Sequence, residues 1–311
     1  MGTPESAVPS LRRCLDDGHE VVAVWTQPDK PAGRGNKVSI SPVKEFALSR
    51  GLTVHQPARI KTDEARSLFV SHDADLAVVV AYGRILPAEF LRAPRRGCIN
   101  LHFSLLPKYR GAAPVNWAIV NGEKKTGVTT MFIEELLDSG PILLQSETEI
   151  GAEETAPQLM GRLAGMGADL LSETLSQLKT ITPRPQRDEE ATLAPLLKRE
   201  DGLIDWSMDA LAIEHRVRGF QPWPNAYTFY SSRRLIVWRA AAERSEGASA
   251  GDQPNAKLPG TIITASGSDL VLACGVNTAL RLLEVQPEGA RRMTAPEFLN
   301  GARLQPGETM G

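Results

Sequence analysis

The sequence has few of the residues that form disulfides or bind metals, and no long apolar run. Three cysteines and five histidines are scattered over 311 residues, and the cysteines form no CxxC pair. We therefore expect reduced thiols, no disulfide and no metal site. No apolar run is long enough to cross a bilayer, and no charged segment followed by an apolar core marks a secretory signal. These patterns predict a cytoplasmic protein that does not bind a membrane.

The chain also lacks a strong excess of charge of either sign. Its formal net charge is −2, so a nucleic-acid partner would have to bind a local basic patch. A length of 311 residues exceeds what a single hydrophobic core usually supports. We therefore expect two domains with no internal repeat.

Strand-like and helix-like segments alternate through the first half of the chain. This alternation predicts an α/β domain with a Rossmann-like, mostly parallel sheet covered by helices. The last two strands are expected to pair at one edge of the sheet. The predicted strands are Val21–Gln27, Leu52–Gln56, Ala74–Tyr82, Cys98–His102, Gly127–Ile133 and Ile142–Ile150, and the predicted helices are Ser6–Asp17, Ser41–Arg50, Thr62–Ser71, Val115–Val120 and Ala152–Leu178.

The opening residues are unusual for such a domain. Gly2–Pro4 has the composition of a loop between a strand and a helix, yet no strand precedes it. We therefore expect the first and central strand of the sheet to be missing from this sequence. The corresponding hypothesis is that the natural protein begins upstream of Met1.

The second half of the chain has a different pattern. Residues 182–200 are rich in proline and charge, which is typical of a linker, and a helix over Met208–Phe220 is expected to follow. Short apolar runs separated by Gly, Ser and Asn then predict a small β-barrel. The predicted domains are residues 1–181 and 201–311, joined by the linker.

The segment Cys98–Pro114, CINLHFSLLPKYRGAAP, carries the clearest functional signal. Asn100 and His102 are two residues apart, so a strand directs both side chains to one face, near the end where ligands bind in such sheets. Asp138 lies in a tight-turn sequence, LDSG, between the two predicted edge strands. An amide can donate to an oxyanion, an imidazole can move a proton, and a carboxylate can orient that imidazole. No serine or cysteine stands out as a nucleophile, so the set favours direct acyl transfer to an amine.

The segments NLHFSLLPKYRGAAPVNWAIVNG and GVTTMFIEELLDSGPIL resemble the formyltransferase family that uses 10-formyltetrahydrofolate. This resemblance covers nearly the whole chain. It implies that Asn100, His102 and Asp138 form a catalytic triad. It also implies that 10-formyltetrahydrofolate is the co-substrate and that a short run after the strand contacts it. That run consists of Ser104, Leu105, Leu106 and Pro107.

Three further segments resemble the members of this family whose acceptor is methionyl initiator tRNA. They are GTPESAVPSL, TQPDKPAGRGNKVSISPVK and AYGRILP. The resemblance implies a mobile loop over Pro31–Lys37, with Arg34 and Lys37 contacting the tRNA. It further implies that the second domain is an OB-like barrel that binds the tRNA body, and that the protein is a monomer.

Other functions remain open from the sequence alone. The same triad would serve a formyltransferase acting on a small amine, such as glycinamide ribonucleotide or an amino-sugar nucleotide. It would also serve a hydrolase that cleaves formyl-folate with water. A non-enzymatic alternative is an RNA-binding barrel attached to a degenerate enzyme domain. Outside the motif, His19 and His72 are expected to be solvated loop residues.

Overall fold

A computed structural model describes residues 1–32, 37–244 and 257–311. Contacts between Cα atoms divide the chain into two units. The first comprises Met1–Pro114, Lys125–Glu149 and Gln158–Pro195, and the second comprises Val115–Lys124, Ile150–Pro157 and Leu196–Gly311. Among the described residues, no helix has the length and apolar character needed to cross a membrane.

Two helices of the first unit begin at residues whose side chains cap them. The Ser41 hydroxyl accepts a hydrogen bond from the backbone N–H of Lys44, and Thr62 accepts one from Ala65. These bonds satisfy donors that a helix start leaves unpaired. The α-helices are α1 (Val8–Asp16), α2 (Pro42–Ser49), α3 (Asp63–Val70), α4 (Ala88–Arg92), α5 (Pro114–Val120), α6 (Ala156–Gln177), α7 (Ala210–Gly219) and α8 (Ala295–Gly301), with 3-10 turns at Glu5–Ala7, Asp188–Glu190 and Arg199–Gly202.

Sixteen strands are assigned within the described residues. They are β1 (Val24–Trp25), β2 (Lys30–Ala32), β3 (Lys37–Ser39), β4 (Val54–His55), β5 (Ala77–Val79), β6 (Cys98–His102), β7 (Arg110–Gly111), β8 (Lys125–Phe132), β9 (Ile142–Glu149), β10 (Leu193–Ala194), β11 (Ala226–Tyr230), β12 (Arg233–Arg244), β13 (Ile262–Ser266), β14 (Asp269–Ala273), β15 (Thr278–Pro287) and β16 (Met293–Thr294).

Parallel strands and covering helices make the first unit an α/β domain, as predicted. Strands β1 and β4 form one parallel pair, and β5 pairs in parallel with β6. Strand β6 then pairs with β8, and β8 with β9, in antiparallel fashion. The last two strands therefore form the predicted edge pair, and β6 lies in the interior of a four-stranded sheet.

Met1 and Gly2 lie between the two parallel pairs, where the sequence leads us to expect that the first strand is missing. The Gly2 N–H donates to the Trp25 carbonyl at 3.0 Å, and the Val80 N–H donates to the Met1 carbonyl at 2.9 Å. Met1 and Gly2 thus form main-chain hydrogen bonds with Trp25 of β1 and with Val80, which follows β5. The β1–β4 pair and the β5–β6–β8–β9 sheet nevertheless remain separate sheets. A cavity of about 400 Å³ lies beside them, lined by apolar side chains that include Leu11 and Leu76.

The segment that the sequence predicts as a linker packs partly against the first unit. Residues 182–195 belong to that unit. Within this segment, Leu193–Ala194 forms β10 and pairs in parallel with β7. The segment therefore contributes main-chain bonds to the loop that follows β6.

The second unit is a C-terminal β domain. Its antiparallel strands follow the order β11–β12–β15–β14–β13, and β16 pairs with β15. Among the described strands this path is open at both ends rather than closed into a barrel. Register shifts on either side of Arg239 bend β12. The apolar core of the unit includes Ile213, Val237, Leu272, Leu282 and Phe298.

His72 corrects one expectation, because it is not a solvated loop residue. Its Nε2 atom accepts a hydrogen bond from Trp25 Nε1 at 3.1 Å, and its ring lies 5.1 Å from that of His55. Burial, with a smaller contribution from His55, lowers the pKa of His72 below its usual value. Burial disfavours the charged imidazolium, and the neutral ring has the unprotonated nitrogen that accepts the indole N–H.

We expect this contact to make stability depend on pH. The pKa of His72 is lower in the folded state, so below about pH 6.5 the unfolded chain takes up a proton that the folded chain resists. The free energy of unfolding should therefore fall as the pH drops from 7 to 5. Denaturant titrations should give a shallower fall for His72→Phe, and equal slopes in the two proteins would contradict the account.

Candidate active site

Strand β6 places two polar side chains on one face of the sheet. Ile99 and Leu101 are fully buried on the opposite face, while Asn100 and His102 alternate with them. Asn100 is only half-buried, and among the described residues its side-chain amide has no hydrogen-bond partner. The amide is therefore available to a ligand.

His102 is buried, and its hydrogen bond identifies which ring nitrogen carries a proton. Its Nε2 atom lies 2.9 Å from the backbone carbonyl oxygen of Tyr109. A carbonyl only accepts, so Nε2–H must be the donor. In the neutral ring, Nδ1 then holds the free lone pair. The site can therefore take up a proton at His102 Nδ1.

Asp138 lies in the connection between β8 and β9, where the sequence predicted it. Its Oδ2 atom is 3.8 Å from His102 Nδ1, so the carboxylate lies beside the proton-accepting nitrogen but beyond direct hydrogen-bond distance. The same oxygen accepts a hydrogen bond from the Gly111 N–H at 2.8 Å. The side chains of His102 and Asp138 are only 7% and 14% exposed. Limited access of water strengthens the attraction between this carboxylate and a protonated imidazole.

The run from Ser104 to Pro107 turns sharply after β6, and one buried threonine holds it. Thr129 donates through its hydroxyl to the Ser104 carbonyl and accepts from the Leu106 N–H. The Ser104 hydroxyl donates to the Lys108 carbonyl, and the Leu106 side chain is buried. Leu105 and Pro107 are the half-exposed members of the run.

The structure brings the three proposed catalytic residues together, but it describes less of the proposed tRNA contacts. Arg34 lies outside the described residues. Lys37 is the first residue of β3, where it pairs with Ala32.

Sequence reasoning missed the residues that hold the site in place. Thr129 follows from the strand register, because it lies directly opposite His102 on β8. Gln145 donates to both Thr129 and the Leu106 carbonyl. Gln186 donates to the Asp138 carbonyl from the segment predicted as a linker. No linear motif marks Gln186, because its role depends on a contact 48 residues away.

A substitution at Gly111 tests whether the hydrogen bond from its N–H to the Asp138 carboxylate matters for the site. Its φ angle is +126°, and an added Cβ would lie 2.5 Å from the Ala194 carbonyl oxygen. We expect Gly111→Ala to destabilise the fold by about 1–3 kcal/mol and to lower activity, because the N–H that binds Asp138 must shift. Thermal unfolding and steady-state kinetics check this. Gly97→Ala is a matched control, since a Cβ there would meet nothing within 4 Å and φ is also positive. Equal effects of the two substitutions would contradict the prediction.

The chain belongs to the formyl transferase family. Residues 1–175 match the formyl transferase domain, and residues 196–303 match the formyl transferase C-terminal domain. Among curated relatives, the methionyl-tRNA formyltransferase of Caldanaerobacter subterraneus subsp. tengcongensis is 48% identical over 310 residues, covering 99% of this chain and 97% of the relative. The methionyl-tRNA formyltransferase of Solibacter usitatus is also 48% identical, over 100% of this chain and 97% of its own.

Solved structures share the fold at lower identity. An N-formyltransferase from Helicobacter canadensis, in complex with folinic acid and dTDP-3-aminofucose, aligns with a TM-score of 0.65 and 17% identity, covering 92% of this chain and 97% of its own. HypX from Aquifex aeolicus, in complex with tetrahydrofolic acid, aligns with a TM-score of 0.55 and 17% identity. That match covers 81% of this chain, which spans 43% of HypX.

Proposed function

We propose that this protein transfers the formyl group of 10-formyltetrahydrofolate to the amino group of methionyl initiator tRNA, giving N-formylmethionyl-tRNA for translation initiation. The observation that carries the proposal is that Asn100, whose amide has no hydrogen-bond partner among the described residues, shares one face of β6 with His102, and that Asp138 lies beside His102. Similarity to methionyl-tRNA formyltransferases over the full chain supports the choice of acceptor.

The residues present fit a formyl donor. Within the described part of the chain the Asn100 amide has no hydrogen-bond partner, so it can donate to the formyl oxygen, and His102, with its lone pair on Nδ1, lies on the same face of the sheet. We assign the folate contacts to Ser104, Leu105, Leu106 and Pro107. Ser104 and Leu106 are buried and hold the turn through main-chain bonds to Thr129, so the half-exposed Leu105 and Pro107 present the contact surface of the run.

The reaction needs no covalent intermediate on the protein. The α-amine of the methionyl ester has a reference pKa near about 8, so an appreciable neutral fraction attacks the formyl carbon at neutral pH. Asn100 donates to the formyl oxygen as it gains negative charge. His102 Nδ1 removes a proton from the attacking nitrogen and delivers it to N10, the leaving nitrogen of the folate. Asp138 stabilises the imidazolium while it holds that proton.

With a tRNA as the acceptor, roles can be assigned to the remaining parts of the chain. We assign residues 1–181 to the catalytic domain, 182–200 to the linker, whose first part belongs to the same compact unit as the catalytic site, and 201–311 to an OB-like domain that binds the tRNA body. The bend of β12 at Arg239 supports an OB-like curvature. Arg34 and Lys37 contact the tRNA from the Pro31–Lys37 loop. The protein acts as a monomer in the cytoplasm.

A panel of acceptors tests this function. The protein is incubated with 10-formyltetrahydrofolate and methionyl initiator tRNA, a small amine such as glycinamide ribonucleotide, an amino-sugar nucleotide, or no acceptor. Formylation of the charged tRNA alone is the expected result. Formylation of a small amine, or release of folate without an acceptor, would replace the proposal with the corresponding transferase or hydrolase.

A further inference from the structure

The side chain of Gln186 uses both of its polar atoms at the active site. Its Nε2 atom donates to the carbonyl oxygens of Asp138 at 2.9 Å and of Gly140 at 2.8 Å. Its Oε1 atom accepts from Arg110 Nε at 3.0 Å and Nη2 at 2.9 Å. Since arginine only donates, it fixes which end of the Gln186 amide faces Asp138.

Arg110 is itself firmly placed. It is 9% exposed, its N–H donates to the Thr192 carbonyl, and its Nη2 atom lies 2.9 Å from Asp188 Oδ1. Its neighbour Gly111 donates to the Asp138 carboxylate. Asp138 is therefore held at two points, the side chain by Gly111 and the main chain by Gln186.

The loop around Asp138 needs such support. Asp138 has a φ angle of +49°, in the left-handed region that side chains other than glycine adopt infrequently. The preceding residues, Leu136 and Leu137, are 75% and 60% exposed and add little packing. One bond lies within the loop, from the Ser139 hydroxyl to the Leu136 carbonyl, and Gln186 adds two bonds from outside it.

We propose that Gln186 is a positioning residue for the reaction: oriented by Arg110, it holds the Asp138 main chain so that the carboxylate stays beside His102 Nδ1. This inference rests on the proposed function. Gln186 acts through Asp138 and makes no contact with the reacting atoms.

Kinetics of two Gln186 variants test the proposal. Gln186→Ala removes the side chain, and Gln186→Glu keeps the shape but replaces the donor with oxygen atoms that repel both carbonyls. We expect each to lower kcat by about 10–100-fold, because a displacement of about 1 Å of a catalytic group can cost about 10²-fold in rate. The KM for 10-formyltetrahydrofolate should stay close to wild type, whereas the thermal midpoint of Gln186→Ala should fall modestly, because Arg110 and two loop carbonyls each lose a partner. Gln177→Glu makes the same chemical change at an exposed position and should leave kcat unchanged.

A double variant separates positioning from a general structural role. In an Asp138→Asn background, the further change Gln186→Ala should cost less than threefold in kcat, because the charge that it positions is already gone. Provided that the wild type is active, either of two results would overturn the inference. One is that Gln186→Ala lowers kcat equally in the wild-type and Asp138→Asn backgrounds, and the other is that the single Gln186 variants keep the wild-type kcat. A wild type that formylates no charged tRNA would instead reject the proposed function.

Discussion

Replacing His102 with alanine is expected to lower kcat for tRNA formylation by about 10²–10⁴-fold, the usual contribution of a general acid–base group. The bond from Nε2 to the Tyr109 carbonyl leaves Nδ1 as the nitrogen that relays the proton. Without it, the proton must leave the attacking amine through water. The KM for both substrates should change little, since His102 is buried and contacts the reacting atoms in the transition state.

A double-mutant cycle shows whether His102 and Asp138 act together. Asp138→Asn keeps the shape of the side chain but removes the negative charge beside Nδ1. If the two residues form one unit, the double variant should be no slower than His102→Ala alone. His19→Ala, at an exposed histidine, serves as the control and should keep full activity. Near-normal turnover of either single variant would contradict the account.

Replacing Asn100 with alanine is expected to lower kcat by about 10²–10³-fold, the usual loss when one oxyanion donor is removed. Asn100 lies on a strand that is paired on both sides, with β5 through Val79 and with β8 through Met131. The surrounding backbone therefore cannot move to supply another donor. An amide held by a rigid strand needs no reorganisation when charge develops on the formyl oxygen.

Asn100→Asp distinguishes this role from a role in folding. It preserves size, but it places a carboxylate where the oxyanion forms, so its loss in kcat should equal or exceed that of Asn100→Ala. Thermal midpoints of both variants should stay near wild type, because the side chain is half-buried and makes no hydrogen bond to any residue that the structure describes. Asn300→Ala, at an exposed position, is the matched control. A kcat within threefold of wild type for Asn100→Ala would rule out the oxyanion role.

The part of the site that lies on a regular element was predictable from the sequence. The predicted strand Cys98–His102 matches β6, because apolar and polar residues alternate there with a period of two. This period alone places Asn100 and His102 on one face. The turn sequence LDSG likewise located Asp138 between β8 and β9.

The contacts that complete the site were not predictable, because they depend on tertiary structure. The Tyr109 carbonyl that orients His102 carries no side-chain signal. Gln186 lies in a proline- and charge-rich stretch that reads as a connector, yet it bonds to the main chain of Asp138.

Strand lengths differ from prediction for a related reason. The apolar run Val21–Gln27 predicts seven strand residues, whereas β1 spans only Val24–Trp25. Ala74–Tyr82 is similarly shortened to Ala77–Val79 in β5. Both runs line the cavity beside Met1; β4 and β6 pair with them on one side, but on the cavity side no described strand pairs along their length. Hydrophobic patterning measures the tendency to be buried, but a strand also needs a hydrogen-bonding neighbour.

The central claim is that the site transfers a formyl group directly from folate to a charged tRNA. A single-turnover experiment with formyl-labelled 10-formyltetrahydrofolate, excess protein and methionyl initiator tRNA tests it most directly. The account predicts that label appears on the methionyl-tRNA at the rate at which the folate loses it, with none on the protein at any time. Label that passes through the protein, or that is released as formate, would contradict it.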